Sequence, residues 1–299
     1  MELHGSIVPN FSSIQLHNMF TVHQATLHDF TRLQTFYASY YPAGHPLFNE
    51  AFWRWMYLHE PYGICLIAQN EDGEIVGHLG CVQGGGRTWL VNILINKKYS
   101  GFGMIEMLFN AARKRGPLTV AVANEAGAGL LRKKGWTEAE PLQRLIWIHP
   151  SLRHQQIDDH FFKPYIMDVD LPKPAGHFWK QPHLHGIQLA DGSTAVLAAK
   201  TSGLRLIDVV DMQTVIDWAI ANKIRWMDWV GSSHDSLVQK LAKQDFTNIT
   251  SFPWFLDPVD FNRSIQLNLF SEEPLPADFL FHRTYADMTR IGKIIAAQS

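Results

Sequence analysis

A chain of 299 residues, 46% hydrophobic and 18% charged, is globular and long enough for two ordinary cores or one large one. A formal net charge of −2 and the lack of any basic tract argue against a nucleic-acid partner. No apolar run reaches spanning length, and the N-terminal Met-Glu-Leu-His-Gly-Ser lacks the basic and apolar regions of a secretory signal, so no membrane partner and a cytoplasmic location are expected.

Patterned sequence starts near Met19, after an irregular extension over residues 1–18. Phe20 to Ala25 reads as a strand. Thr26 is placed to cap a helix running to about Tyr40, with Leu27, Phe30, Leu33 and Phe36 or Tyr37 on one side. Pro42-Ala-Gly-His-Pro46 breaks it. A second helix, about Asn49 to His59, is aromatic: Phe52, Trp53, Trp55 and Tyr57. A hairpin follows, Ile64–Gln69 and Glu74–Val82, joined by Asn70-Glu-Asp-Gly73. Cys65 and Cys81 both lie in its apolar strands and read as buried thiols of a reducing compartment, with a disulfide the less favoured alternative.

Trp89–Ile95 reads as the next strand, and Lys98-Tyr99-Ser100-Gly101-Phe102-Gly103 leads from it into a helix with Met104, Met107, Leu108 and Ala111 on one face. A strand, a glycine turn and a helix start together suit a phosphate, because backbone N–H groups point outward and the helix start carries partial positive charge. Gly101 and Gly103 let a ligand come close to the backbone. The loop is not a Walker loop, since no Gly-Lys-Ser/Thr ends it, and it lacks the third glycine of a dinucleotide fingerprint. Leu118–Ala123 is a strand, Ala126–Lys134 a short helix closed by Gly135-Trp136, and Leu142–Ile148 a further strand.

This order resembles the GNAT superfamily of acyl-CoA N-acyltransferases. The resemblance covers roughly 130 residues and rests on three features: Lys98-x-x-Gly101-x-Gly103, the hairpin Asp72-Gly-Glu-Ile-Val-Gly77, and Asn124 through Arg132-Lys-Lys-Gly-Trp136. It implies an α+β fold, a mixed central sheet flanked by helices, over residues 19–150. Residues 151–299 repeat hairpin, helix, strand, helix: Gly186–Leu189, Ala195–Lys200 and Leu204–Val210 as strands, a helix capped by Asp211, Arg225–Val230 as a strand, and a helix from Ser233 to Lys243. No glycine loop precedes Met212, so this half is expected to be a second, degenerate GNAT-like domain without the CoA loop. His149 to Lys163 is the expected linker. Phe252 to Ser299 is expected to supply the last strands.

The resemblance also implies the chemistry. Acetyl-CoA would be the co-substrate, its diphosphate on the amides of Ser100, Gly101, Phe102, Gly103 and Met104 beside Lys98. Its pantetheine arm would lie along Ile93, Leu94 and Ile95, with Asn124 nearby. A backbone N–H near Ile93 or Leu94 would meet the thioester carbonyl. An amine would attack directly. Many family members protonate the leaving thiolate with a Tyr seven residues after the Asn; here that position is Leu131. The candidates for proton handling are His78, which titrates near neutrality when unperturbed, and Tyr285. Asn92 could orient a water or the acceptor. Trp53, Trp55 and Tyr57 could stack on a sugar, and Arg283 and Asp287 of the tail run Phe281-His-Arg-Thr-Tyr-Ala-Asp287 could face the acceptor. His177, His183 and His185 lack metal-ligand spacing, and no metal is expected. The sequence thus favours an N-acetyltransferase acting on a small amine, an amino sugar or nucleotide-linked amino sugar first. The alternatives are a degenerate acyl-CoA-binding or interaction protein and a tandem aminoacyl transferase fed by aminoacyl-tRNA. The oligomeric state is not legible.

Overall fold

The computed structural model describes residues 19–58, 62–100, 103–122, 125–155, 184–188, 194–199, 203–209, 211–248 and 268–281. It divides into two compact units, Met1–Ala43 with Met56–Leu118, and Gly44–Trp55 with Thr119–Ser299.

The first unit is built on four antiparallel strands in chain order: β1 (Phe20–Gln24), β2 (Gly63–Asn70), β3 (Ile75–Gly84) and β4 (Arg87–Ile95). The β2–β3 turn closes as its sequence dictates. Gly73 N–H donates to the Asn70 carbonyl at 2.9 Å, and the Asn70 side chain accepts from Glu74 N–H at 2.8 Å. β2 and β3 are buried over most of their length, which is why both read as nearly unbroken apolar runs. Their register settles the cysteines. Cys65 lies opposite Gly80 and Ile64 opposite Cys81, so the two thiols leave opposite faces of the sheet, and both are free and buried.

Helix α1 (Phe30–Tyr37) buries Phe30, Leu33, Phe36 and Tyr37. It begins later than the spacing predicts, because Leu27–Asp29 form a 3-10 turn in which the Asp29 carboxylate accepts from Thr26 N–H at 2.9 Å. Helix α2 (Glu50–Tyr57) is capped by Asn49, whose side-chain oxygen accepts from Phe52 N–H at 3.0 Å. Helix α3 (Met104–Arg113) buries Met104, Leu108, Phe109 and Ala112, a face rotated away from the expected Met107 and Ala111 so as to take in the Phe109 ring. Met104 and Leu108 lie against Gly77, on one side of the sheet, while Tyr57 lies over Gly80 on the other.

In the second unit, β5 (Leu118–Val122), α4 (Glu125–Lys133), β6 (Thr137–Glu138) and β7 (Gln143–Ile148) are followed by β8 (Leu184–Gln188), β9 (Thr194–Ala199), β10 (Leu204–Asp208), α5 (Met212–Ala221), β11 (Trp226–Gly231), α6 (Ser236–Ala242) and β12 (Asn268–Ser271). Five of these strands form a sheet in the order β7-β11-β10-β9-β8. α5 joins the parallel pair β10 and β11, and the other pairings are antiparallel. β12 pairs antiparallel with both β5 and β6. Strand pairing therefore crosses the sequence halves: β7, which ends the first half, joins β11, and β12, near the C-terminus, joins β5.

One face of the five-stranded sheet packs Leu145, Trp147, Leu204, Leu206, Met227 and Trp229 against Met212, Val215, Ile216 and Ala219 of α5. Those four α5 residues are the face the sequence spacing predicts. The opposite face carries buried Arg144, Arg205 and Asp228. Helix α6 is capped by Asp235, not Ser233 as the sequence suggests; the Asp235 carboxylate accepts from Leu237 N–H at 2.9 Å.

Candidate active site

Strand β4 is buried over its first five residues and half-buried from Asn92 to Ile95. The change coincides with a bulge. Val91 lies opposite Gly80 and Leu94 opposite His78, so Asn92 and Ile93 together face Leu79. Asn92 takes up the extra length with φ of 52°, in the left-handed region that Asn tolerates better than most residues.

Three side chains from three elements hold this residue. Its carbonyl accepts from His78 Nδ1 at 2.7 Å. Its amide Nδ2 donates to the Tyr57 hydroxyl at 3.0 Å, and its Oδ1 accepts from the Tyr41 hydroxyl at 3.3 Å. Tyr57 reaches Asn92 only because position 80 has no side chain: a Cβ there would sit 2.5 Å from the Tyr57 hydroxyl and 2.8 Å from Val91 Cγ2. Tyr57 is fully buried, so its expected stacking on a sugar is corrected to this contact, and Tyr41 carries no sequence signal of its own. The available signals were an Asn inside the apolar run Leu90–Ile95 and two glycines, Gly77 and Gly80, inside a strand, which mark a bulge and a close approach.

His78 does not stand where a proton-transfer residue facing solvent would. It is fully buried, with the rings of Tyr37 and Tyr57 edge-on to it at 5.1 and 5.8 Å. Burial lowers its pKa to about 4, against the opposing effect of the hydrogen bond to Asn92. A contact of 2.7 Å to a carbonyl oxygen requires the proton on Nδ1. His78 is thus a neutral imidazole that holds the bulge, and its expected role as acid or base is corrected to a structural one.

Beyond Ile95, Asn96 N–H donates to the Val76 carbonyl at 2.9 Å and the Asn96 side chain accepts from Lys98 N–H at 3.0 Å, closing a 3-10 turn over Lys97–Tyr99. Ser100 N–H donates to the Lys97 carbonyl at 3.3 Å, so this amide, expected to point at a ligand, is engaged within the turn. Lys98 is exposed, with Nζ 5.1 Å from the Tyr99 ring centroid. Gly103, at φ of 67°, is the cap of α3; its carbonyl accepts from Glu106 and Met107 N–H at 3.0 and 3.1 Å, so the amides of Met104 and Ile105 precede the first helical hydrogen bond. Gly101 and Phe102, at the centre of the expected nest, lie outside the described residues, as do Asn124, Arg283, Tyr285 and Asp287.

The aromatic pair divides. Trp53 is fully buried and belongs to the core, which corrects its expected stacking role, whereas Trp55 is half-exposed and lies 5.9 Å from the Phe52 ring. Leu131, at the position of the family's Tyr, is buried. His177 and His183 lie outside the described residues, and among the described residues no group of three or more His, Cys, Asp or Glu could hold a metal. No helix among the described residues is long and apolar enough to cross a membrane. In the second half, the start of α5 is occupied by its own acid: the Asp211 carboxylate accepts from Gln213 N–H at 3.1 Å and from the Thr214 hydroxyl. A carboxylate there repels a diphosphate, consistent with the missing glycine loop.

No family model matches this sequence, and no curated protein does. Solved structures do. A fungal multi-domain GH3 β-N-acetylglucosaminidase, described for its GCN5-related glucosamine N-acetyltransferase region, is similar over 89% of this chain and 38% of its own, at 11% identity and a TM-score of 0.50. This chain therefore spans well under half the length of that protein. A tandem GNAT protein of the clavulanic acid biosynthesis pathway is similar over 86% of this chain and 100% of its own, at 10% identity and a TM-score of 0.46. A GNAT-family acetyltransferase of Staphylococcus aureus Mu50 is similar over 40% of this chain and 85% of its own, at 13% identity and a TM-score of 0.35. The fold is that of the GNAT acetyltransferases.

Proposed function

We propose that this protein is an N-acetyltransferase that transfers the acetyl group of acetyl-CoA to the amine of a small molecule in the cytoplasm. The observation that carries the reading is the end of β4: a bulge at Asn92, half-exposed Ile93, Leu94 and Ile95, then a turn that delivers the chain to a helix start at left-handed Gly103. A half-buried end of a central strand, loosened by a bulge, suits an amide-bearing arm laid along it. The glycine-capped helix start suits a diphosphate. Acetyl-CoA supplies both, together with an activated acyl group.

In this reading Ile93 or Leu94 offers the backbone N–H that meets the thioester carbonyl, and Gly101 to Met104 with Lys98 hold the diphosphate. Positioning supplies much of the rate. Leu131 offers no proton to the departing sulfur. A thiol with a pKa near 8.5 leaves tolerably as its anion, so the step can proceed without that residue or with Tyr285 in its place. Among acceptors an amino sugar comes first. Trp55 supports it, and the fungal neighbour, described as having a glucosamine N-acetyltransferase region, makes glucosamine the natural first probe.

Calorimetry with acetyl-CoA tests the reading. Binding is expected to wild type and to be weakened about tenfold or more by Gly103→Asp, since Asp tolerates the left-handed backbone while its carboxylate opposes the diphosphate. Absence of binding to wild type rejects the proposal. Buried Leu131 favours a second reading, an acyl-CoA-binding protein without turnover; binding without thiol release across a broad amine panel would select it.

A further inference from the structure

The bulge at Asn92 is a strained element, and the structure shows what keeps it. A non-glycine residue at φ of 52° persists only where its surroundings over-determine it. Here the surroundings are Tyr41, Tyr57 and His78, which engage the side-chain oxygen, the side-chain nitrogen and the carbonyl of the same residue. Two of the three are buried: Tyr57 and His78 have no exposed surface. Tyr41 and Asn92 are half-buried. The network thus runs from buried Tyr57 and His78 out to the half-buried end of β4.

Its geometry depends on one missing side chain. The Tyr57 hydroxyl occupies the space that a Cβ on residue 80 would fill, and so comes within 3.0 Å of Asn92 Nδ2. His78 is a neutral imidazole, so its contact fixes the bulge without placing an ion beside it. That is what a strand end requires if its amides are to act as donors in a site of low polarity.

We propose that Tyr57, seated over Gly80, and Tyr41 are positioning residues that act through the Asn92 amide to hold the β4 bulge in the shape that receives a thioester carbonyl. The inference rests on the reading of β4 as the acyl-CoA strand and goes beyond it by assigning two residues outside the strand and the glycine loop. It makes a separable demand. Loss of either hydroxyl should disturb recognition of the thioester group and leave the grip on the nucleotide end unchanged, because Lys98, Gly103 and α3 are not part of the network.

The experiment is calorimetric titration of the full chain with two probes, acetyl-CoA and CoA, for wild type, Tyr57→Phe, Tyr41→Phe and Gly80→Ala. Wild type is expected to prefer acetyl-CoA. In each variant the preference should shrink about tenfold, the effect of one hydrogen bond, while the Kd for CoA stays within about threefold. Gly80→Ala is the informative variant, since it displaces the Tyr57 hydroxyl while removing no polar group. Tyr41→Phe, at a half-exposed position, keeps the test open if a buried variant fails to fold. Wild type binding acetyl-CoA and CoA equally, or variants keeping the full preference, would overturn the inference while the acyl-CoA reading stands. Variants losing both probes in parallel would also overturn it, since a general packing role would explain the result. Wild type binding neither probe would reject the acyl-CoA reading and the inference with it.

Discussion

At the scale of single residues, His78 shows how burial decides chemistry. Its sequence setting, Ile75-Val-Gly-His78-Leu, allows a proton-transfer role, and nothing in the residue types announces that both Tyr37 and Tyr57 close over the ring. Once they do, the charged imidazolium is excluded and the pKa falls to about 4 from an ordinary 6.5. The sign of the consequence is fixed. A folded-state pKa below the unfolded one means that the unfolded chain binds the proton first, so stability falls as pH drops from about 6.5 to about 4, by roughly 3 kcal/mol in all. His78→Asn should flatten that slope, because an amide nitrogen can replace Nδ1 as donor to the Asn92 carbonyl and does not titrate. Urea midpoints at about pH 7 and about pH 4.5 for both proteins measure this. An unchanged slope in the variant would assign the acid sensitivity to other groups. By contrast Gly103 is legible as a backbone position, since a Gly ahead of a helix permits the left-handed conformation found there. The backbone role of Asn92, expected only to orient a water or the acceptor, is not legible, nor are its partners Tyr41 and Tyr57, because their hydroxyls meet Asn92 only through tertiary packing over Gly80.

At the scale of elements, most of what local sequence controls was legible. The Asn70–Glu74 turn, the Asp211 cap and the buried face of α5 follow from side chains within one turn of where they act. What failed depended on distant packing. The α3 face is turned toward Phe109, and α6 is capped by Asp235 in preference to the nearby Ser233. The tertiary charge cluster of the second unit was equally hidden, since Arg144, Arg205 and Asp228 are 84 and 23 residues apart along the chain. Arg205 grips Asp228 with Nε at 2.8 Å and Nη2 at 2.6 Å, and Arg144 Nε adds a contact at 2.8 Å. Burial lowers the Arg144 pKa to about 10, partly offset by the Asp228 charge. Removing the carboxylate leaves two buried guanidiniums facing each other across β11. Asp228→Asn is therefore expected to cost about 3–5 kcal/mol, whereas replacing all three with apolar residues of similar volume should cost far less or stabilise. Chemical denaturation of the single and triple variants separates these outcomes; a benign Asp228→Asn would mean that the carboxylate is not what neutralises the pair.

At the scale of the whole molecule, the strand pairings bear on whether either sequence half can stand alone. A cut near residue 150, where the sequence suggests a domain boundary, severs two ladders. It removes β12 from β5, a pairing that runs from Asn268 opposite Val122 to Ser271 opposite Thr119 and includes the buried Thr119–Ser271 hydroxyl contact at 3.2 Å. It also removes β11 from β7, whose six-residue register spans Gln143 to Ile148 and carries Trp147 into the core of the five-stranded sheet. The N-terminal piece would then present two apolar strands with unpaired N–H and C=O groups, the kind of edge that pairs with other chains. The C-terminal piece would lose Leu145 and Trp147 from its core and would leave Asp228 and Arg205 without Arg144. Residues 19–150 expressed alone are accordingly expected to aggregate, although they contain every element of the glycine-loop site. Co-expression with residues 151–299 should restore soluble protein, because the missing strands arrive on the second piece. Size-exclusion chromatography of the single and paired fragments gives the answer. A soluble, monomeric, acetyl-CoA-binding fragment of residues 19–150 would show that β12 and β11 are dispensable partners and that the two halves are joined by the chain alone.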